Sequence, residues 1–326
     1  MGTDKKLVVS HAPFWHNGSR ISTRNIDIMI AAALPVIAGI ARFGPTALGV
    51  VALSIGMAML WELLLNKAMK RPVSIGDLDA AAIGLVLGML LPASAPWWLI
   101  VVGAFVAVVV GKMIYGGIGG NPFSPVAVAM AVLMLSWKLL LDFDTALLNY
   151  NLGFKALYPL GAVKAFGASY AADWSARDLL IGRQTGGVGS VFGLGLILGG
   201  VYLVLRGHVR WQIPVSFLAG VAVTAALFTL GNAEGELPAY AGPVFHLLTG
   251  YTLIGAFFLL PETSSRPVNS LPLILSGLLA GVLTVLIRNT GAWVDGVIFA
   301  VLLVNVAHPL LDMIRPRPLG KVVENA

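Results

Sequence analysis

The sequence predicts an all-α polytopic membrane protein of about ten transmembrane helices, in two inverted five-helix halves with broken helices. Three observations lead there. Hydrophobic residues make up 58% of the 326 and charged residues only 11%, whereas a soluble domain carries about 25% charged residues. Apolar runs recur along the whole length instead of forming one anchor, and basic or polar loops separate them. A glycine-spaced apolar run broken at Leu-Leu-Pro occurs twice, over 81–96 and 251–267. The copies are an odd number of spans apart, which places them in opposite orientations, as an inverted repeat does.

Residues 1–25 are polar, with Lys5, Lys6, Arg20 and Arg24, and show no cleavable signal pattern. They are expected to form a cytoplasmic amino-terminal segment. The first half, 26–141, holds expected spans at 26–41, 46–65, 80–91, 96–114 and 126–141. The connection 142–186 is the only long one and is expected outside the cell membrane, where long loops cross regardless of charge. Its Tyr150, Tyr158, Tyr170 and Trp174 predict a packed segment lying on the bundle rather than a free loop. The second half, 187–313, holds spans at 187–205, 213–230, 245–260, 271–287 and 292–313, and 314–326 forms a cytoplasmic tail. With the amino terminus inside, Lys67, Lys70, Arg71, Lys112, Arg206, Arg210, Arg266, Arg315, Arg317 and Lys321 join the inner side. That positive-inside bias predicts both termini in the cytoplasm. The net charge of +6 follows from this bias; the expected partner is the lipid bilayer, not nucleic acid. With no cysteine, the chain supplies no disulfide, no thiolate nucleophile and no cysteine-ligated iron–sulfur cluster.

The segment 112–125, Lys-Met-Ile-Tyr-Gly-Gly-Ile-Gly-Gly-Asn-Pro-Phe-Ser-Pro, holds the most information. Glycine opens left-handed backbone conformations, and proline removes a donor and ends helix. At membrane depth such backbone survives only when buried in protein or lining a cavity. Gly116, Gly117, Gly119, Asn121, Pro122 and Phe123 therefore mark a ligand, cofactor or ion site, with a tight interhelical loop as the alternative. Glu262, Thr263 and Ser264 follow the second Leu-Leu-Pro break and offer a carboxylate and hydroxyls suited to a flavin, a cation or a proton; a self-satisfied turn is the other reading. The inverted repeat predicts that 92–96, 116–125 and 261–267 share interior space. Glu62 is expected to snorkel or to pair with Lys67 or Arg71, and Asp77, Asp79 and Asp295 to cap helices. His246 and His308 would serve a bis-histidine haem only on facing helices, and packing or hydrogen bonding is the favoured role. His11 and His16 have no metal-ligand companions. The Thr185-Gly-Gly-Val-Gly-Ser190 run reads as a loop entering span six, with a phosphate cradle as the weaker alternative. No nucleophilic triad, Walker loop or dinucleotide fingerprint is present.

Four segments carry a family resemblance: Ser10-His-Ala-Pro with Ser22-Thr-Arg24, the run from Tyr115 to Pro125, Trp211-Gln-Ile-Pro-Val-Ser-Phe217, and 296–305 ending at Asn305. In order along the chain they resemble the RnfD/NqrB family. RnfD belongs to Rnf-type ion-translocating electron-transport complexes, and NqrB to the sodium-pumping NADH:quinone reductase. The resemblance implies two inverted five-helix halves of urea-transporter-like architecture. It also implies partner iron–sulfur and flavin subunits, membrane and peripheral, and FMN esterified to a threonine in a Ser/Thr-Gly-Ala-Thr-Pro-Leu pattern. Here Lys155-Ala-Leu-Tyr-Pro-Leu160 matches that pattern with Tyr158 at the threonine position, so covalent FMN is not expected. A noncovalent flavin, riboflavin or FMN, is expected, either at the long connection or between the broken helices, where Leu260-Pro-Glu-Thr-Ser-Ser265 stands for the family's Thr-Asp-Pro-Val-Thr-Ser. The function so implied is electron relay coupled to Na⁺ or H⁺ movement. The alternatives are a cofactor-free scaffold or ion-conducting component of such a complex, and a standalone urea-transporter-like solute channel.

Overall fold

The computed structural model describes residues 20–147, 150, 153, 154, 157–231 and 240–314. Ser10-His-Ala-Pro, His11, His16, Lys155, Arg315, Arg317 and Lys321 lie outside the described residues. Every regular element among the described residues is helical. Five helices are long and apolar enough to cross a membrane: α1 (Ile21–Phe43), α2 (Pro45–Ala68), α4 running to the end of Trp97–Tyr115, α10 (Gln212–Gly231) and α13 (Ser270–Thr290). Four shorter apolar helices accompany them: α3 (Asp79–Leu90), α5 (Pro125–Ser136), α9 (Gly193–Leu205) and α14 (Val297–Leu311). Large apolar side chains face outward at helical spacing, Ile30, Leu34 and Ile37 on α1 and Leu194, Leu198, Val201 and Leu205 on α9. Such stripes suit contact with lipid and not with water.

Local chemistry explains the joints. Gly44, at φ +79°, ends α1 in a conformation open to glycine, and Pro45 starts α2 at the position where its missing N–H costs nothing. Pro125 starts α5 in the same way. Span four begins as α4 (Trp97–Phe105), passes into a π-helical turn at Val106–Val110 and, after Lys112, ends in a 3-10 turn at Met113–Tyr115. The segment expected as span eight is broken twice. α11 (Pro243–Leu248) stops before Gly250, whose φ is +66°; α12 (Thr252–Ile254) follows, and a π-helical turn at Gly255–Leu259 leads to Pro261. The sequence showed only the second break.

The expected span boundaries differ most at span six. Residues 187–192 are not helical, and the stretch from Gln184 to Val191 is buried throughout. The Val188 N–H donates to Leu91 O at 3.0 Å and the Gly189 N–H to Met89 O at 2.9 Å. This segment thus satisfies carbonyls that α3 leaves open where Pro92 stops it. Gln184 anchors the segment through Nε2, which donates to Leu179, Val191 and Leu248 carbonyls.

α2 packs on α3 and α4; α10 packs on α11 and α13. α1 lies against α9, and α5 against α14. At the α1–α9 crossing a Cβ on Gly199 would collide with the Ala31 carbonyl, so only glycine admits that approach. The long connection forms the short helices α6 (Phe143–Ala146), α7 (Pro159–Phe166) and α8 (Ala176–Ile181). It covers the end of the bundle where α1 terminates: Arg42 donates to the carbonyls of Gly182 and Ile181, and Tyr150 meets Thr46 at 2.7 Å. Trp174 and Tyr158 are buried there, as a packed segment requires.

Candidate functional site

Lys112 enters the glycine run with its ammonium fully enclosed. Its Nζ lies 2.8 Å from Glu62 Oε1 and 2.9 Å from Asp79 Oδ2. Ser74 Oγ donates to the same Glu62 oxygen and accepts from Asn66 Nδ2. Glu62 therefore pairs with Lys112, across two helices, and not with Lys67 or Arg71. Asp79 is likewise an ion-pair partner and not a cap. Asp77 accepts the Asp79 N–H at 2.9 Å, while Leu78 between them takes φ +59°. Burial pushes the Asp77 carboxyl above its usual 3.8.

Beyond Lys112, Gly116, Gly117 and Gly119 all take positive φ, 105°, 107° and 85°. These turns carry the backbone to Asn121, whose Nδ2 donates to Phe123 O at 3.0 Å and to Glu262 Oε2 at 3.2 Å. Glu262 also accepts from the backbone N–H groups of Ser264 and Ser265 and from Ser265 Oγ. The self-satisfied turn expected of Glu262 is therefore present. Asn305 of α14 ties the two loops together: its Oδ1 accepts the Ser124 N–H and its Nδ2 donates to Ser265 O, each at 3.0 Å.

Gly119, Asn121, Glu262, Thr263 and Ser264 line one cavity, of about 820 Å³ between atoms and open at one side. Arg24, Asp79, Lys112, His208, Phe257 and Phe258 complete its walls. The π-helical turn bears the two phenylalanines. Arg24 Nε is buried there without a hydrogen-bond partner among the described residues. A buried orphan donor beside aromatic walls, hydroxyls and a carboxamide suits a planar, acceptor-bearing heterocycle such as a flavin. Gly116 and Gly117 shape the approach but do not line the cavity, and neither do Pro122 and Phe123. The 92–96 bend does not join it either. α3 runs from Asp79 at the cavity to Leu90, whose carbonyl accepts from Tyr251 Oη at 2.9 Å, toward the other end of the bundle.

Tyr158 lies at that other end and lines a second cavity, of about 940 Å³, with Asp142, Phe143, Asp144, Gly161, Tyr251, Trp293 and Asp295. Its ring packs on Phe143 with centroids 4.9 Å apart, its N–H donates to Asp144 Oδ1 at 2.6 Å, and its hydroxyl has no partner among the described residues. Burial pushes the phenol well above its usual 10.0, so it stays a neutral donor. A buried phenol in an aromatic cluster does not fit the role of a phosphoester acceptor.

Several residues escaped the sequence reading. Arg288 is buried and pairs with Asp295 at 2.9 Å; it also donates to the His246 and Thr249 carbonyls and to Thr252 Oγ1, holding open the α11–α12 break. Asp295 does serve the start of α14, accepting the Val297 N–H at 3.1 Å. Lys164 donates to the Arg288, Gly291 and Trp293 carbonyls. Asp27 gathers Tyr202, Arg206 and His208 at the first cavity's edge. The haem pairing fails. His308 bonds Asp312 near the end of α14, whereas His246 packs beside the Arg288–Asp295 pair at its start. Eleven residues of helix put them roughly 16 Å apart along the axis. Among the described residues no group of three His, Asp or Glu side chains could hold a metal. The signal for Lys112 and Arg288 was each one's place as the last cation of a span.

Comparison with known proteins agrees with the four sequence segments. The pattern of the NQR2, RnfD, RnfE family matches residues 8–320. A component of the ion-translocating oxidoreductase complex of Cronobacter sakazakii is 33% identical, over 96% of this chain and 98% of the relative. A component of the Na⁺-translocating ferredoxin:NAD⁺ oxidoreductase complex of Acetobacterium woodii is 32% identical over 94% and 92%. The corresponding component of a proton-translocating ferredoxin:NAD⁺ oxidoreductase complex, from Clostridium ljungdahlii, is 30% identical over 94% and 93%. Matched over nearly its whole length, this chain belongs to the NQR2, RnfD, RnfE family.

Proposed function

We propose that this chain is the integral membrane subunit of an Rnf-type ion-translocating electron-transport complex, and that a noncovalent flavin in the Asn121–Glu262 cavity relays electrons through it. The observation that carries the reading is the convergence of the glycine run and the post-Pro261 turn on one cavity with an orphan Arg24 donor. A bound flavin would supply electron acceptance and release, chemistry that no side chain of a cysteine-free chain offers. Asn121, Thr263 and Ser264 would orient its polar edge, Phe257 and Phe258 would cover its ring, and Arg24 would stabilise negative charge on it. Glu262, half-buried and tied by hydrogen bonds to the loop of the other half, would fix the distance between the two walls.

The partners would be other membrane and peripheral subunits bearing iron–sulfur and flavin centres; the coupled ion would be Na⁺ or H⁺, the ions that two relatives' names give for their own complexes. Ten spans in two inverted halves fit the packing; the positive-inside charge bias supports cytoplasmic ends, and the bacterial relatives support an inner membrane. α1 pairs with α9, α5 with α14, and the α2–α3–α4 group has its counterpart in α10, α11 and α13. Lys112 at the end of span four and Arg288 at the end of span nine each lock a broken or interrupted helix through a buried acid, one at each end of the bundle.

The test is the complex assembled in membranes with Asn121→Ala and Glu262→Gln. Flavin bound per complex and the rate of electron transfer should fall together while the subunits still co-purify. Unchanged flavin content would place the cofactor elsewhere. Tyr158 in the attachment position favours a second reading, a cofactor-free ion-conducting scaffold, which complexes holding no flavin on this chain would support.

A further inference from the structure

We infer that Arg24, Arg210 and Arg266 form a site for a phosphate-bearing anion, and that its occupant is the headgroup of an acidic phospholipid. Three elements bring the guanidinium groups together. Arg24 comes from the first turn of α1, Arg210 from the connection between α9 and α10, and Arg266 from the turn after Pro261. Arg210 Nη1 donates to Val268 O at 2.7 Å, which fixes its connection against the Arg266 turn. Arg24 Nε and Arg266 Nη1 are buried, and neither has a hydrogen-bond partner among the described residues. Buried donors without acceptors are rare in a folded chain and point to a group that the chain itself does not supply.

Acids of the described residues do not balance this cluster. Burial, with Arg24 and Arg210 alongside, pulls the Arg266 guanidinium down to about 10, and Glu262 opposes them. Both Glu262 oxygens already accept from Asn121, Ser264 and Ser265. Asp27 takes Arg206 and His208, Glu62 and Asp79 take Lys112, and Asp312 accepts from His308 and the Val268 N–H. One added anion relieves repulsion among the three arginines and gives the orphan donors their acceptors. Phosphate oxygens suit this role, because planar guanidinium forks bind them in pairs. The level of the site favours a lipid as the source. Trp211, next to Arg210, is 57% exposed, and tryptophan belts mark the headgroup region of a bilayer. Val215, one turn further along α10, and Leu271, at the start of the packed α13, are exposed and offer an apolar surface for acyl chains. The site shares Arg24 with the Asn121–Glu262 cavity but does not rest on a flavin there.

Phosphatidylglycerol, phosphatidylcholine and inorganic phosphate are the probes, since together they separate a lipid source from a soluble one. The full chain, purified in a neutral detergent, is titrated with each lipid, and bound lipid is counted by native mass spectrometry. Phosphatidylglycerol should fill one site about tenfold or more tightly than phosphatidylcholine, and millimolar inorganic phosphate should leave it bound. Arg210→Gln with Arg266→Gln should bring the two lipids to within about threefold of each other. Lys67→Gln with Lys70→Gln removes the same charge from two other exposed positions and should leave the preference intact. Arg266→Lys, which keeps the charge and loses the fork, should retain part of it. The double arginine variant keeps Arg24 and the cavity walls, so its flavin content should match that of the original chain, and loss of the lipid preference reads apart from loss of a cofactor. Equal affinity for the two lipids in the unmodified chain, or a preference lost equally in the lysine variant, would overturn the assignment. Displacement of the lipid by inorganic phosphate would overturn the lipid as the source of the anion.

Discussion

Lys112→Met tests the buried ion triad at the root of the glycine run. Nζ is 2.8 Å from Glu62 and 2.9 Å from Asp79, and Lys112 and Glu62 are each 1% exposed. At an effective dielectric near 20, each contact is worth about 6 kcal/mol of attraction before desolvation. Desolvation of three charges takes back most of that, so the triad adds little net stability over an apolar core. Removing the cation alone is different, because it leaves two carboxylates together with nothing opposite them. Losing one partner of a buried pair costs about 3–5 kcal/mol, with Asp79 at 18% exposure drawing some relief from water. Thermal unfolding of the purified chain in one detergent, at fixed scan rate, should show Lys112→Met melting several degrees lower. Adding Glu62→Gln to Lys112→Met should recover part of the loss, with a coupling of at least about 1 kcal/mol. A Lys112→Met chain as stable as the original, with no coupling in the cycle, would refute the reasoning.

Three further outcomes follow from the packing. Gly199→Leu forces a side chain into the Ala31 carbonyl at the α1–α9 crossing and should cost roughly 1–3 kcal/mol or more of stability, read by the same melt; an unshifted melt would mean the two helices do not meet this closely. Lys164→Met strips donors from the Arg288, Gly291 and Trp293 carbonyls and should cost about 1–3 kcal/mol, with hydrogen exchange rising at 288–295; unaltered exchange there argues against the bridge. Burial, joined by nearby Asp142 and partly offset by the Tyr158 N–H, holds the Asp144 carboxyl above its usual 3.8. The folded chain therefore keeps that proton to higher pH than the unfolded chain, so stability is fully present below 3.8 and declines as pH rises through the raised value. Asp144→Asn should reduce the decline of the melting midpoint above about pH 4; an undiminished slope would contradict it.

What the sequence made legible is the meeting of Gly119 and Asn121 with Glu262, Thr263 and Ser264. Glycine and proline punctuation marks irregular backbone locally, and of the three such segments expected to share interior space, 116–125 and 261–267 do meet. The 92–96 bend was misplaced, because α3 carries it to the end of the bundle opposite Glu262, where the Leu90 carbonyl accepts from Tyr251 Oη. Lys112 with Glu62 was not legible. Charge pairing can be read along one helix, three or four residues apart, but these two residues are brought together by the packing of separate spans. The apolar pattern of 187–192 imitated a helix, yet the glycines there serve to bring backbone against the open carbonyls of α3. The π-helical turns that carry Phe257 and Phe258 leave no mark on periodicity. Tyr158 was legible as a departure from a pattern, but its burial against Phe143 required the fold.

The central claim is that this chain holds a flavin without a covalent bond. The direct measurement is flavin absorbance of the full chain purified from membranes, followed by acid precipitation. The prediction is a flavin spectrum that moves entirely into the supernatant and is lost from Asn121→Ala chains that remain folded. Flavin that stays with the precipitated protein, or folded native chain with no flavin at all, would contradict the claim.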